Sequence, residues 1–312
     1  MMVLRIPVYT ESPFKQIIDE QSRLRNEAKK KIRTALYASD VFQCQRKVFM
    51  QFFPEVFEQE AIDPRTARIF ANGEDVHIRL GAYFHEDGRV QFQDEISVPM
   101  GEVDVHGRCD GLANLQGQVY ILEFKSINKK FVTEAKEEHV GQLMYYLHMF
   151  EQKRAALRKE FGIDEGELVT DEHLPNLVGV TGRLFGNLDG VEKMLLLASG
   201  QIRGEIIYEA KPTQELFHFS VEYDPLKAEK VLQWFRQVQK CLDEMTLPHV
   251  TYDAGRFPCQ WRSGKCPMFE YCHGQKHDVL VQFGQQRKLE ESCAKDLNTG
   301  VGSGIADPHG KD

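Results

Sequence analysis

Residues 107–126 read GRCDGLANLQGQVYILEFKS, and the fold turns on how this stretch is read. The pattern predicts two β-strands joined by a hairpin turn, with Asp110 at the end of the first strand and Glu123 and Lys125 in the second. Strand side chains alternate between faces, so Glu123 and Lys125 point one way and Phe124 points into the core. Val119 and Ile121 make the second strand apolar, as a central strand covered on both faces would be. A carboxylate and an ammonium side by side on a buried strand are costly unless they have partners or a metal. The stretch is therefore a candidate site, with Asp110 and Glu123 placed for a divalent cation and Lys125 beside them.

The flanks extend this core. Val90, Phe92, Ile96 and Val98 alternate with Gln91, Gln93, Glu95 and Ser97, which predicts a strand over 90–99. Another is expected over 103–110, with Cys109 pointing away from Asp110 into the core and given no ligand role. Upstream, residues 64–84 read as one helix with Pro64 in its first turn. Ile69, Phe70, Gly73, Val76, His77, Leu80 and Phe84 share a face of it; a histidine in such a stripe is ordinarily a packed core residue. Downstream, a helix over 133–153 makes a strand-to-helix crossover of the α/β type, with Gln142 and Tyr146 four apart on one face. Residues 154–175 are charged and read as an insertion. Strands are expected at 176–185, 191–198, 203–209 and 216–223. A helix then starts at Asp224-Pro225, and Cys241 falls in its apolar stripe as a packing residue.

At the other end of the chain, residues 11–38 are expected to be helical and basic, with Arg23, Arg25, Lys29, Lys30, Lys31 and Arg33. These form either a solvated face or a phosphate-contacting arm. Ser39 and Asp40 offer helix caps before VFQCQRKVFMQFF.

The chain has 312 residues and a net charge of −8. That charge does not advertise nucleic-acid binding, although a local basic channel would suffice for it. No apolar run reaches the length of a membrane span. The opening MMVLRIPVYTE has no signal-peptide pattern, so a soluble, intracellular protein is expected. No Walker A motif is present to supply an ATP motor. Seven cysteines in such a chain point to metal binding or core packing before disulfides. Cys259, Cys266 and Cys272 crowd into FPCQWRSGKCPMFEYC, and Cys44 is the candidate fourth ligand. Four thiolates suit a [4Fe–4S] cluster or a tetrahedral zinc alike. From His273 the chain turns polar and is expected to be a disordered tail; Cys293 lies in it and is given no ligand role.

Asp110 followed by Glu123-Phe124-Lys125 resembles the PD-(D/E)xK nuclease motif. With His77 on the preceding helix and Gln142 and Tyr146 as a QxxxY pattern, the set is similar to the RecB-type nucleases. The cysteines extend the resemblance to their iron–sulfur branch, which includes CRISPR-associated and phage-encoded exonucleases and the AddB nuclease domain. The resemblance spans residues 39–272. It implies an α/β, restriction-endonuclease-like core, a mixed sheet flanked by helices, with a helical N-terminal lobe over 1–38 and a Cys-rich C-terminal clamp; 273–312 is the tail. It also implies Mg²⁺ or Mn²⁺ held by His77, Asp110, Glu123 and the Phe124 carbonyl. Lys125 would act on the nucleophile, and Gln142 and Tyr146 would contact phosphate or orient the site. Cys44, Cys259, Cys266 and Cys272 would hold the [4Fe–4S] cluster, or zinc. The implied substrate is single-stranded DNA degraded from its ends, with 5′-to-3′ polarity, in recombination, repair or CRISPR spacer processing. A helicase or CRISPR integrase is the implied partner, in bacterial, archaeal or phage-directed cytoplasm. The alternatives are a structure-specific or single-strand endonuclease and a non-catalytic DNA-binding subunit; the intact D…ExK set argues against the last.

Overall fold

The computed structural model describes residues 13–28, 32–58, 62–164, 167, 169, 177–249, 252, 259–261 and 264–284. Lys29, Lys30, Lys31, Cys293, the tail beyond residue 284 and most of 165–176 lie outside the described residues. Helices form at Pro13–Ala28 (α1), Gln45–Met50 (α2), Pro64–Glu86 (α3), Glu137–Glu160 (α4), Gly190–Leu197 (α5), Pro225–Asp243 (α6) and Phe269–His273 (α7). Strands form at Leu36–Tyr37 (β1), Gln91–Ser97 (β2), Val105–His106 (β3), Arg108–Leu115 (β4), Gln118–Ile127 (β5), Arg203–Ala210 (β6), Leu216–Glu222 (β7), Gln260–Trp261 (β8) and Gly264–Lys265 (β9). The chain divides into two compact units, Met1–Gln43 with Ala61–Gln237, and Cys44–Glu60 with Val238–Asp312.

The first unit is built on a five-stranded mixed sheet in the order β2-β4-β5-β6-β7. The β4–β5 hairpin closes through Gln116 (φ 54°) and Gly117 (φ 86°). Two consecutive positive φ values match the right-handed twist of the flanking strands, and glycine adopts such a φ without steric cost. β5 pairs antiparallel with β4 and parallel with β6. A parallel neighbour needs a crossover, which α4 supplies. α4 buries Leu143, Met144, Tyr145, Leu147, Met149 and Phe150, while acidic Glu137 and Glu138 at its start and basic Arg158 and Lys159 at its end suit the helix dipole. On the other face α3 starts with Asp63 accepting the Thr66 N–H. It packs Val76 and Leu80 into a cluster with Ala113, Leu122 and Phe124. This is the restriction-endonuclease-like arrangement of a mixed sheet between helices.

Several expectations change. Asp110 stands near the start of its strand, which runs on to Leu115 because the turn lies at 116–117 rather than after 110. Residues 191–198, predicted as a strand, are helical in α5. There Asp189 caps the Glu192 N–H, the Glu192 carboxylate reaches back to the Asp189 N–H, and this capping box outweighs the apolar run. Residues 177–187 contain one bridge, Val178 with Leu184, and a 3₁₀ turn Phe185–Asn187 instead of a strand. The charged residues 154–160 continue α4 rather than opening an insertion: Arg154 pairs with Glu151, and buried Arg158 donates to the Asp164 and Glu167 carbonyls. Asp40 caps no long helix. It accepts the Tyr37 N–H and pairs with Arg33, while α2 starts at Gln45 after Cys44. The helix expected over 11–38 ends at Ala28, and Leu36–Tyr37 pairs as a strand with β3 instead; on α1, Lys15 pairs with Asp19 and Arg23 with Glu27, as on a solvated helix.

The second unit gathers Phe49, Met50, Phe57, Met268, Tyr271, Leu280 and Phe283 into a core, with Cys241, Cys266 and Cys272 packed against it. The tail expected from residue 273 is therefore helical over 277–284, because Leu280 and Phe283 are apolar anchors one turn apart. No described helix is long and apolar enough to cross a membrane.

Candidate active site

Strand pairing fails on both sides of Asp110. In β2, Asp94 pairs with Gly111 and Ile96 with Cys109, skipping Glu95, which takes a positive φ of 51°. On the other side the β4–β5 ladder ends at Gly111 and Leu122. The Phe124 N–H, released from the ladder, donates to Asp110 Oδ2 at 2.6 Å. Irregular backbone of this kind costs stability and clusters at functional sites. The other oxygen, Asp110 Oδ1, lies 3.0 Å from His77 Nδ1. His77 is carried on α3 in the same stripe as Val76 and Leu80, and its ring meets Phe124 edge-on.

Glu123 and Lys125 point to the opposite face from Phe124, and the Lys125 ammonium donates to Glu123 Oε1. The Glu123 side chain is 2% exposed. Its second oxygen, Oε2, is buried without a hydrogen-bond partner. Burial pushes the Glu123 carboxyl up to about 7, with Asp110 adding repulsion and Lys125 and His77 opposing it. Burial alone would depress the Lys125 ammonium, but the Glu123 and Asp110 carboxylates outweigh it and raise its pKa. Two carboxylates, an imidazole and an ammonium thus share one field.

Gln142 and Tyr146 are buried under this group. Gln142 Nε2 donates to Tyr146 Oη at 2.8 Å, and Tyr146 Oη donates to the Arg108 carbonyl at 3.2 Å, two residues before Asp110. Gln142 is 6% and Tyr146 1% exposed, and the pair braces the start of β4. The sequence reading missed two further residues. Tyr208 on β6 stands beside Lys125 in parallel register. Its hydroxyl lies 2.7 Å from His139 Nδ1 and accepts the Lys136 N–H at 3.1 Å. Burial together with Lys125 and Lys136 pushes His139 down to about 3, so it is neutral and shares a hydrogen bond with the Tyr208 hydroxyl. His139 lies three residues before Gln142, but Tyr208 becomes a neighbour only through the β5–β6 pairing.

The hard oxygen donors of Asp110 and Glu123, one of them buried and unpartnered, suit a divalent ion such as Mg²⁺ or Mn²⁺. Among the described residues no three His, Cys, Asp or Glu side chains are drawn together closely enough to hold a metal as they stand.

The four cysteines singled out by spacing all belong to the second unit. No disulfide links them. The Cys266 N–H donates to the Cys259 carbonyl at 2.9 Å, which joins two of them through a small β8–β9 hairpin. Burial pushes Cys272 up to about 12; Arg46 opposes the rise, and Cys44, Cys266 and Cys259 add to it. Cys266 is raised mainly by burial, with Cys44 contributing. Among the described residues, the four thiols are not drawn together closely enough to form a ligand set as they stand. Cys109 is fully buried and its Sγ faces the Ile96 carbonyl at 3.6 Å, and Cys241 packs on the core of the second unit.

Comparison with known proteins bears on this geometry. The family model of the PD-(D/E)XK nuclease superfamily matches residues 15–273, well over half of the chain. No curated protein matches significantly. Among solved structures, the chain is similar to SSO0001 at 12% identity and a TM-score of 0.46, covering 84% of this chain and 98% of that one. It is also similar to an alkaline exonuclease from Laribacter hongkongensis at 9% identity and a TM-score of 0.34, covering 76% and 84%. The same exonuclease in complex with dAMP aligns at 10% identity and a TM-score of 0.31, covering 68% and 89%.

Proposed function

The chain belongs to the PD-(D/E)XK nuclease superfamily and is a phosphodiester-hydrolysing nuclease; from this premise we propose that it is a metal-dependent deoxyribonuclease that degrades single-stranded DNA from its ends. The observation that carries the metal dependence is the buried Glu123 carboxylate, one oxygen without a partner, beside Asp110 and Lys125. Asp110 and Glu123, with His77 and the Phe124 carbonyl, would hold Mg²⁺ or Mn²⁺. Such an ion, when bound, lowers the pKa of water and neutralises charge on the scissile phosphate.

The remaining work falls to the protein's own groups. Lys125, held by Glu123 and flanked by Tyr208, keeps its proton and donates hydrogen bonds to the attacking water or to a phosphate oxygen as negative charge develops. His77 fixes the rotamer of Asp110. Gln142 and Tyr146 fix the backbone two residues upstream of it, so the acidic groups are set before substrate arrives. The preference for single-stranded ends rests on the resemblance of the ordered residue set to the RecB-type nucleases. The same resemblance supports a [4Fe–4S] cluster on Cys44, Cys259, Cys266 and Cys272, with zinc as the alternative, and a role in recombination, repair or CRISPR spacer processing beside a helicase or integrase.

The test uses purified protein with Mn²⁺ and matched linear and circular single strands. The linear strand is expected to be degraded while the circle resists. Rapid cutting of the circle would replace the exonuclease reading with an endonuclease one, and cutting of neither would remove the deoxyribonuclease reading.

A further inference from the structure

Along α3, the stripe that faces the sheet runs Phe84, Leu80, His77, Gly73 and Phe70 toward the helix start. Leu80 packs with Leu122 and Phe124, and His77 meets Asp110. A methyl group at Gly73 would stand 3.6 Å from Ser126 Oγ. The stripe thus tracks β5 toward its C-terminal end at Ile127. One turn further toward the helix start, Phe70 is 52% exposed. Phe70 lies two turns, about 10 Å, along the helix from His77.

The loop leaving β5 at the same end carries Asn128, Lys129, Lys130 and Phe131, all exposed. Phe131 is 73% exposed and is propped against the edge of Phe217, with ring centroids 6.4 Å apart. Two exposed aromatic rings thus lie on the elements that carry the acidic site, Phe70 on the helix of His77 and Phe131 on the loop that follows the strand of Glu123 and Lys125, with two lysines between β5 and the second ring. An exposed ring can stack on a base that has left a duplex, and the lysines match the phosphates of the same strand.

We propose that Phe70 and the Lys129–Phe131 loop form the track that guides unpaired bases of a DNA strand into the site, so that selection for single strands is made here, outside the metal-holding residues. This rests on the deoxyribonuclease reading and adds the residues that choose the form of the substrate. A protein partner or a second copy of the chain on the same rings is the competing explanation.

The full-length protein is compared with Phe70→Ala, Phe131→Ala and Lys129→Ala/Lys130→Ala in metal-free buffer. The readouts are fluorescence anisotropy with a labelled single strand and with the same sequence as a duplex, the salt dependence of binding, mass in solution and melting temperature. Each Phe variant is expected to weaken single-strand binding by about 5- to 150-fold, the range of one lost base stack, with duplex binding, mass and melting unchanged. The double-lysine variant is expected to lower the slope of log K against log salt by about 1.4, or 0.7 for each phosphate contact. Wild-type single-strand affinity in both Phe variants overturns the track, as does an equal loss on both DNA forms. A wild-type oligomer that falls apart on Phe70→Ala overturns it in favour of self-association. These failures are separable from failure of the parent reading, because a wild-type protein that cuts linear single strands with Mn²⁺ keeps the deoxyribonuclease whatever the Phe variants do. Wild-type protein that neither binds nor cuts DNA overturns both.

Discussion

Replacing Glu123 by Gln should flatten the pH dependence of stability of the metal-free protein. The Glu123 carboxyl is pushed from its ordinary 4.5 up to about 7, first by burial and then by the Asp110 charge. Its pKa is therefore higher in the folded than in the unfolded chain. A group of this kind contributes stability that is fully present below pH 4.5 and is lost as the pH rises through 7, because the folded state must then hold a buried anion. The span from 4.5 to about 7, at roughly 1.4 kcal/mol per tenfold change in acidity, corresponds to about 3 kcal/mol. The Glu123→Gln change keeps the shape of the side chain and removes its charge. The variant also leaves Lys125 without its closest partner, so its absolute stability can fall. The ionic part of that pairing exists only where Glu123 is ionised and is already contained in its pKa; the remaining loss of packing and hydrogen bonding does not vary with pH, so it shifts the curve without tilting it. The measurement is urea unfolding of both proteins in a chelating buffer from pH 5 to pH 8, following the first unit. The variant's stability relative to wild type is expected to rise by about 2.5 kcal/mol across that window, the rest of the span lying below pH 5. Parallel curves would mean that Glu123 is solvated or paired as an anion in the apo protein, and the argument for a waiting cation site would fall. Saturating Mn²⁺ is expected to recover the wild-type loss at pH 8, since a ligand at 100 times its Kd adds about 2.7 kcal/mol, and to leave the variant unmoved.

Lys125→Ala is expected to lower cleavage by about 100- to 1000-fold, the usual loss of one preorganised electrostatic contact, with single-strand affinity retained; wild-type cleavage rates in this variant would move the chemistry to another site. Cys44→Ala is expected to reduce the iron or zinc content of the purified protein and to lower the Tm of the second unit, because the thiols of Cys259, Cys266 and Cys272 lose their fourth partner; unchanged metal content and melting would remove Cys44 from the ligand set.

The central hairpin and its three charged residues were legible in the sequence because their signals are local. Period-2 apolar alternation marks the strands, and a carboxylate and a lysine one residue apart on a buried strand stand out against base expectation. The stripe on α3 was equally plain, although only the structure puts His77 against Asp110. What the sequence hid depends on pairing. The break in the ladder at Gly111 and Leu122 frees the Phe124 N–H for Asp110, and Glu95 is skipped opposite it; neither is encoded by nearby residues. Tyr208 reaches Lys125 from far along the chain through parallel strands. Residues 191–198 misled because an apolar run of that length is compatible with strand or buried helix, and the decisive signal was the Asp189–Glu192 cap just upstream.

The position of β5 explains why these residues form one site. It is the strand at which the sheet changes from antiparallel to parallel pairing. On its antiparallel side the ladder stops early, leaving a backbone donor and room for Asp110 with His77 above it. On its parallel side the ladder continues to Ile127 and Ala210, so Lys125 is walled in by Tyr208 and by the start of α4, where His139 is kept neutral. One side of the strand therefore frees backbone for Asp110 and the other packs side chains around Lys125. The Glu123 carboxylate lies between them, buried yet left with an open oxygen. A packed apolar residue there would stabilise the sheet. A buried carboxylate is costly to the fold where it is ionised, and a cation held there would offset that cost and tie the stability of this strand to occupancy of the site.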